Sequence, residues 1–211
     1  MKTNSVIICD LDGTLIDSRE DLTVGVNLMR AEYSLPALDV DTVTNFVGNG
    51  SRSLAERAVN GNDIDIDEAL SLMREFYTAH MFDRTRLYPA VKEGLQILSD
   101  KGYKLAVVTN KPQEPCERIL EHLEVAEMFD VILGASSKYQ LKPDPEMLFA
   151  VLNKTDSSSG NSWMVGDNYT DLESGRRAGL KRCFANYGFG YQLDEEYDAA
   201  FDSFADFANS L

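Results

Sequence analysis

Four groups of polar residues sit at the ends of short apolar runs or in the loops just beyond them: Asp10 with Asp12, Thr109 with Asn110, Lys142, and Asp167 with Asp171. Four carboxylates, an ammonium and a hydroxyl form a chemically coherent set if the fold brings them together. Clustered carboxylates repel one another unless a cation lies among them. A hard divalent ion that takes oxygen ligands suits such a group. Asp10 and Asp12 are two residues apart, so both can serve one site only if the chain turns between or just after them. Gly13 permits that turn, and its missing side chain allows a ligand close to the backbone. Asp167 and Asp171 are four apart, and a helix beginning near Asn168 places both toward the same ion. Each part also has a plainer reading: Asp as a helix cap, Thr-Asn as turn chemistry, Lys142 as a solvated loop residue.

The elements around these residues are what would unite them. Val6-Ile7-Ile8-Cys9, Leu105-Ala106-Val107-Val108, Val131-Ile132-Leu133 and Trp163-Met164-Val165 read as buried strands, and Arg182 to Ala185 as a final one. Helical spacing is legible from Val91 to Leu98, Gln113 to Leu123, Met147 to Leu152, and Thr170 to Ala178 with a stop at Gly179. This alternation predicts an α/β fold, a doubly wound parallel sheet of Rossmann-like type. In a parallel sheet the carboxyl ends of the strands share one edge, where ligands bind. Between Ser18 and Arg84 the pattern is helical, with no convincing strand. That block is too long for an ordinary crossover and reads as an inserted all-helical domain. The expected division is a core of residues 1–17 and 85–211 and an insertion of residues 18–84. Phe201, Phe204 and Phe207 suggest a terminal helix packed on the core, and Tyr187 to Tyr191 a loop over the sheet edge.

With 211 residues, 44% of them hydrophobic, the chain can bury a substantial core. Its formal charge of −15 argues against nucleic acid or an anionic membrane as partner, since both require basic patches. It leaves an anionic small substrate open, because a bound cation inverts the local field. Cys9, Cys116 and Cys183 are widely spaced and odd in number, which suggests free thiols in a reducing compartment. Nothing reads as a signal peptide or spanning segment, so a cytoplasmic protein, a monomer or weak homodimer, is expected. His80 and His122 lie in helical segments apart from other ligand residues and are read as structural.

Taken together, Asp10-x-Asp12-Gly13-Thr14, Val107-Val108-Thr109-Asn110, Leu141-Lys142-Pro143 and Gly166-Asp167-x-x-x-Asp171 resemble the four signature motifs of the haloacid dehalogenase-like hydrolases, in that family's order. The helical insertion resembles the family's cap. Phe46 to Gly50 and Val108 to Pro112 most resemble phosphoglycolate phosphatases within it. Cys9, where a bulkier apolar residue is common, and Asn168, where Ser is frequent, are minor departures. The resemblance implies that Asp10 is a nucleophile forming an aspartyl-phosphate and that Asp12 is the acid–base carboxylate. It also implies that Thr109 and Lys142 hold the phosphoryl oxygens. Mg2+ would be bound by Asp10, the Asp12 backbone carbonyl, Asp167 and Asp171. The substrate would be a small phosphorylated metabolite, phosphoglycolate-like. Gly13, Thr14 and Asn110 are expected to border it from the core. From the insertion, the turn Gly48-Asn49-Gly50 is expected to reach it as well, with Arg52 able to pair with a carboxylate if it points inward. A pyrophosphatase or sugar-phosphate mutase on the same scaffold is the alternative. A phospho-accepting signalling module is disfavoured by Asp12 and by the insertion.

Overall fold

The computed structural model describes residues 4–211. Six parallel strands form one sheet: β1 (Val6–Cys9), β4 (Lys104–Pro112), β5 (Val131–Ala135), β6 (Trp163–Gly166), β7 (Lys181–Ala185) and β8 (Ala199–Phe201). Their spatial order is β5-β4-β1-β6-β7-β8. The chain runs from β1 to one side to place β4 and β5, then to the other to place β6, β7 and β8. The switch point therefore lies between β1 and β6, at whose carboxyl ends a crevice opens.

Alternation along β1 explains why every residue of it is apolar. Ile7 and Cys9 face one buried cluster, shared with Leu95 and Leu98 of α5 (Val91–Asp100) and with Phe204 and Phe207 of α9 (Phe204–Ser210). Val6 and Ile8 face a second cluster, containing Met147, Leu148 and Val151 of α7 (Glu146–Thr155) and Ala178 of α8 (Tyr169–Ala178). Strand β4 follows the same rule, with Leu105 and Val107 on the first face and Ala106 and Val108 on the second. Helix α6 (Gln113–His122) completes the first face through Cys116, Ile119 and Leu120.

Between β1 and β4 lie α1 (Arg19–Glu32), α2 (Val40–Thr44), α3 (Ser51–Ala58) and α4 (Ile66–His80), with no strand among them. Leu22, Val26 and Met29 of α1 and Leu70, Met73 and Tyr77 of α4 join one buried cluster, as their helical spacing predicts. The chain leaves and re-enters the sheet region through a ribbon that the sequence does not reveal. Two-residue strands β2 (Ile16–Asp17) and β3 (Arg86–Leu87) pair antiparallel. Asp17 bonds Arg19 at 2.9 Å and Arg86 at 3.2 Å, stitching the exit to the return. Buried Asp21 on α1 accepts from the Arg84 amide (3.0 Å) and from the Thr85 amide and hydroxyl (2.8 and 2.7 Å).

Other differences are local. Gly50, not Ser51, is the N-cap of α3. Strand β4 continues past Val108 to Pro112, with a register shift against β5. Arg182 to Ala185 lies in β7 but is not the last strand, because β8 follows. Phe201 belongs to β8, and only Phe204 and Phe207 are on the terminal helix. All three cysteines are free and buried. Among the described residues no helix is long and apolar enough to cross a membrane.

Candidate active site

The crevice at the end of β1 is a cleft of about 760 Å³, walled by core residues on one side and by α3 and α4 on the other. Asp10 follows the last residue of β1, and its amide donates to the Val165 carbonyl at 2.9 Å, so it continues the parallel ladder. Asp167 occupies the matching position after β6. Asp10, Asp167 and Asp171 can each offer a carboxylate oxygen with all three within 4.8 Å of one another, and all three side chains are buried.

Lys142 lies beneath this trio. Its ammonium donates to Asp10 Oδ1 (2.8 Å), Asp171 Oδ1 (2.6 Å) and the Val108 carbonyl (2.7 Å). Burial works to lower its pKa, but Asp10 and Asp171 outweigh burial and the net direction is upward. The Asn110 side chain holds the Lys142 backbone in place: Oδ1 accepts the Lys142 amide (2.8 Å) and Nδ2 donates to the Lys142 carbonyl (2.9 Å).

Asp171 does two jobs from the first turn of α8. Its Oδ2 accepts the Asn168 amide at 3.1 Å, capping the helix, while Oδ1 faces Lys142. Burial raises its pKa, with Lys142 opposing and Asp10 adding to the rise. Asp167 is pushed well above the usual carboxylate range by burial, then by the like charges of Asp10 and Asp171. Backbone amides of Gly190 (2.7 Å) and Phe189 (2.9 Å) donate to its Oδ2 and pull the other way.

The packing around Asp167 leaves no room for side chains. A Cβ on Gly13, where φ is +87°, would fall 2.0 Å from Asp167 Oδ2. A Cβ on Gly188 would fall 2.2 Å from the Asp167 Cβ. The 187–191 loop thus does more than cover the sheet edge. It supplies two amides to Asp167, and the Tyr187 hydroxyl donates to the Thr14 carbonyl at 2.9 Å. A Gly-x-Gly after a strand signals close backbone approach, and that signal was available in the sequence.

Asp12 stands apart from the trio with a cation of its own. Lys111 Nζ donates to both its oxygens, at 2.8 and 3.0 Å, and the Ser18 hydroxyl donates to Oδ1 at 2.5 Å. The Lys111 ammonium also lies over the Tyr77 ring, 4.7 Å from its centroid, which brings α4 into contact with this ion pair. Burial acts to lower the Lys111 pKa, but Asp12 and then Tyr77 reverse it. The sequence pattern assigns Lys111, Ser18 and Tyr77 no part in the site chemistry. Lys111 follows the Thr109-Asn110 pair directly and was the one within reach.

Of the expected binding residues, Gly48, Gly50 and Asn110 line the cleft with Thr109. Thr109 is buried and its Oγ1 accepts the Lys111 amide at 3.2 Å, leaving its hydroxyl proton for another partner. Asn110 borders the cleft but is fully occupied, and the remaining expected residues are placed differently. Every polar atom of the Asn110 amide group is engaged, with its second donor contact reaching the Gly48 carbonyl at 2.9 Å, so it clasps the turn to the core. Asn49 lies outside the cleft wall, its side chain held between the Tyr169 hydroxyl (2.8 Å) and Arg57 (2.7 Å). Arg52 also lies outside it, paired with Asp67 and facing Glu56. The helix turns Arg52 outward, toward the acidic start of α4. Gly13 and Thr14 sit behind Asp167, and the Thr14 hydroxyl donates to Asp167 Oδ1 at 3.3 Å.

The sequence profile of the family described as haloacid dehalogenase-like hydrolase matches residues 7–185. The chain is 35% identical over 199 residues to a phosphoglycolate phosphatase of Pseudomonas syringae pv. tomato, covering 90% of this chain and 72% of that protein. It is 33% identical over 214 residues to one of Haemophilus influenzae, covering 96% of each. The crystal structure of a predicted phosphoglycolate phosphatase from Haemophilus somnus 129pt superposes with a TM-score of 0.93 at 30% identity, over 100% of this chain and 98% of that one. Motifs, sheet order and relatives agree, and the chain belongs to the haloacid dehalogenase-like hydrolases.

Proposed function

We propose that the protein is a Mg2+-dependent phosphatase that hydrolyses a small phosphomonoester, phosphoglycolate being the leading candidate, by way of an aspartyl-phosphate on Asp10. The observation that carries this reading is the separation of the two leading aspartates. Asp10 shares Lys142 with Asp171, while Asp12 is held by Lys111 and Ser18 on the other side of the same turn. Two carboxylates two residues apart thus have distinct surroundings, as a nucleophile and an acid–base pair require.

In the first half-reaction an Asp10 oxygen forms a bond to phosphorus as the bond to the leaving alkoxide breaks, and Asp12 delivers its proton to that alkoxide. In the second, Asp12 takes a proton from water as the water oxygen attacks phosphorus, releasing phosphate and restoring Asp10. Lys142 and the Thr109 hydroxyl face the phosphoryl oxygens. The trio fits a hard cation: three oxygen donors whose burial, and then mutual repulsion, raises the Asp167 pKa. Mg2+ held by Asp10, Asp167, Asp171 and the Asp12 carbonyl would supply neutralising charge for the phosphoryl group.

Residues 18–84 serve as a cap domain on a core of 1–17 and 85–211. Support comes from the β2–β3 ribbon, which closes the insertion at its base, and from the cleft that both parts wall. The sequence similarity to phosphoglycolate phosphatases favours phosphoglycolate over a pyrophosphate or sugar phosphate. The test is phosphate release from a panel of phosphorylated metabolites with Mg2+, and no release from any member overturns the reading.

A further inference from the structure

The cleft wall contributed by α3 and α4 carries a cation that has no ion pair among the described residues. Arg74 of α4 lines the cleft and is exposed. Its hydrogen bond among the described residues is from Nη2 to the Ser51 hydroxyl, at 2.8 Å, and it has no ion pair there. Both other cations that line the cleft are committed, and so are two on α3 beside it. Lys142 serves Asp10 and Asp171, Lys111 serves Asp12, Arg52 pairs with Asp67, and Arg57 bonds the Phe46 carbonyl and Asn49. The acidic residue on the wall outside the catalytic group, Glu114, faces Arg118 at 3.4 Å. Arg74 thus lines the cleft with no carboxylate bonded to it among the described residues, in a chain with 35 acidic and 20 basic residues.

We infer that Arg74, oriented by Ser51, is a specificity-determining residue that binds a carboxylate at the end of the substrate remote from phosphorus. This rests on the phosphatase reading above. Ser51 takes one of the two Nη2 hydrogens, so the other can act with the neighbouring Nε–H or Nη1–H as the fork that matches two carboxylate oxygens. Ser51 accepts from Arg74, so its own O–H can donate to the same anion. It opens α3, whose N-cap Gly50 provides no side-chain cap, so the positive end of that helix adds to the same field. A single guanidinium with a hydroxyl suits a planar monoanion. The substrate class is therefore a short phosphomonoester with a carboxylate at its far end.

Three substrates of nearly equal length separate this role from a structural one: phosphoglycolate, 2-hydroxyethyl phosphate and 2-aminoethyl phosphate. In Arg74→Met, kcat/KM for phosphoglycolate should fall about 10- to 100-fold further than for 2-hydroxyethyl phosphate, chiefly through KM. Arg74→Lys should recover part of that difference, because it restores charge without the fork. Arg74→Glu should invert the order of the charged pair, favouring 2-aminoethyl phosphate over phosphoglycolate. Equal losses on all three substrates, or an unchanged ratio in Arg74→Glu, would overturn the inference while leaving the phosphatase reading intact. If the unmodified protein releases phosphate from none of them or from any other phosphomonoester, the phosphatase reading fails first and this inference with it.

Discussion

Lys111 Nζ lies 2.8 and 3.0 Å from the two carboxylate oxygens of Asp12, so the aspartate assigned to proton transfer carries its own buried ammonium. The side chains are 4% and 11% exposed, which removes most of the solvent screening that weakens surface pairs. The ammonium is also where the helical insertion meets the chemistry, through the face of Tyr77.

Replacing Lys111 by Met leaves Asp12 with only Ser18 as a partner. Folding stability should drop by about 1.5–3 kcal/mol, the loss of a hydrogen bond between charged groups. The measurement is urea denaturation, compared with Lys111→Arg, which keeps the charge. The turnover number should fall in both variants, since the guanidinium cannot occupy the site of a compact ammonium. A Lys111→Met protein with unaltered kcat would show that the pair serves folding alone.

Metal binding and Asp167 are linked in a way that a pair of thermal melts can read. Without Mg2+, Asp167 is held above its usual range by burial and by Asp10 and Asp171, so its charge opposes folding near neutral pH. Asp167→Asn should therefore be at least as stable as the parent in chelator. With Mg2+ at 100 times its Kd the parent should gain about 2.7 kcal/mol, and the variant should gain much less. Equal Mg2+-induced shifts in both proteins would remove Asp167 from the ion's ligands.

The ribbon at the base of the insertion gives a pH signature. Hydrogen bonding to Arg19 lowers the Asp17 pKa, burial opposes it, and the charges of Arg19 and Arg86 add to the lowering. A carboxylate depressed in the folded state contributes stability above its unfolded pKa, about 3.9, and loses it as pH falls through the lower folded value. Asp17→Asn should thus cost roughly 0.5–1 kcal/mol at pH 7 and nearly nothing once pH falls below the folded pKa. A gap between parent and variant that is constant with pH would mean that the pair's charge does not matter.

What the sequence made legible follows from how each feature is encoded. The strands β1, β4 and β6 are apolar runs with Asp10, Thr109 and Asp167 at their ends, and local pattern alone exposes such elements. Parallel pairing then carries those residues to one edge, so the trio and Lys142 could be foreseen without coordinates. Arg52 could not be placed, because the direction in which α3 turns it depends on the packing of α3 against α4. Arg74 was overlooked for the same reason, since nothing in Met73-Arg74-Glu75 distinguishes a cleft-facing arginine from a solvated one. Strands β2 and β3 are two residues each, too short for any period. The amides that Phe189 and Gly190 lend to Asp167 are backbone groups, which leave little trace in side-chain pattern beyond their flanking glycines.

The two leading aspartates can be told apart by the leaving group. Asp10→Asn removes the oxygen that attacks phosphorus and should abolish turnover without any trapped covalent species. Asp12→Asn keeps its neighbours Ser18 and Lys111 but can no longer give or take a proton. Expulsion of an alkoxide should then slow by about 100-fold or more, the usual share of general acid catalysis. An aryl oxide leaves without protonation, so formation of the aspartyl-phosphate from an aryl phosphate should be slowed far less. Attack by water still lacks its base, and the phosphorylated protein should accumulate, detectable as a mass increase on Asp10 after acid quenching. Equal losses with alkyl and aryl phosphates and no accumulated phosphoprotein would contradict proton transfer by Asp12. The Lys111–Asp12 pair would then be better explained as an electrostatic anchor for the turn that positions Asp10.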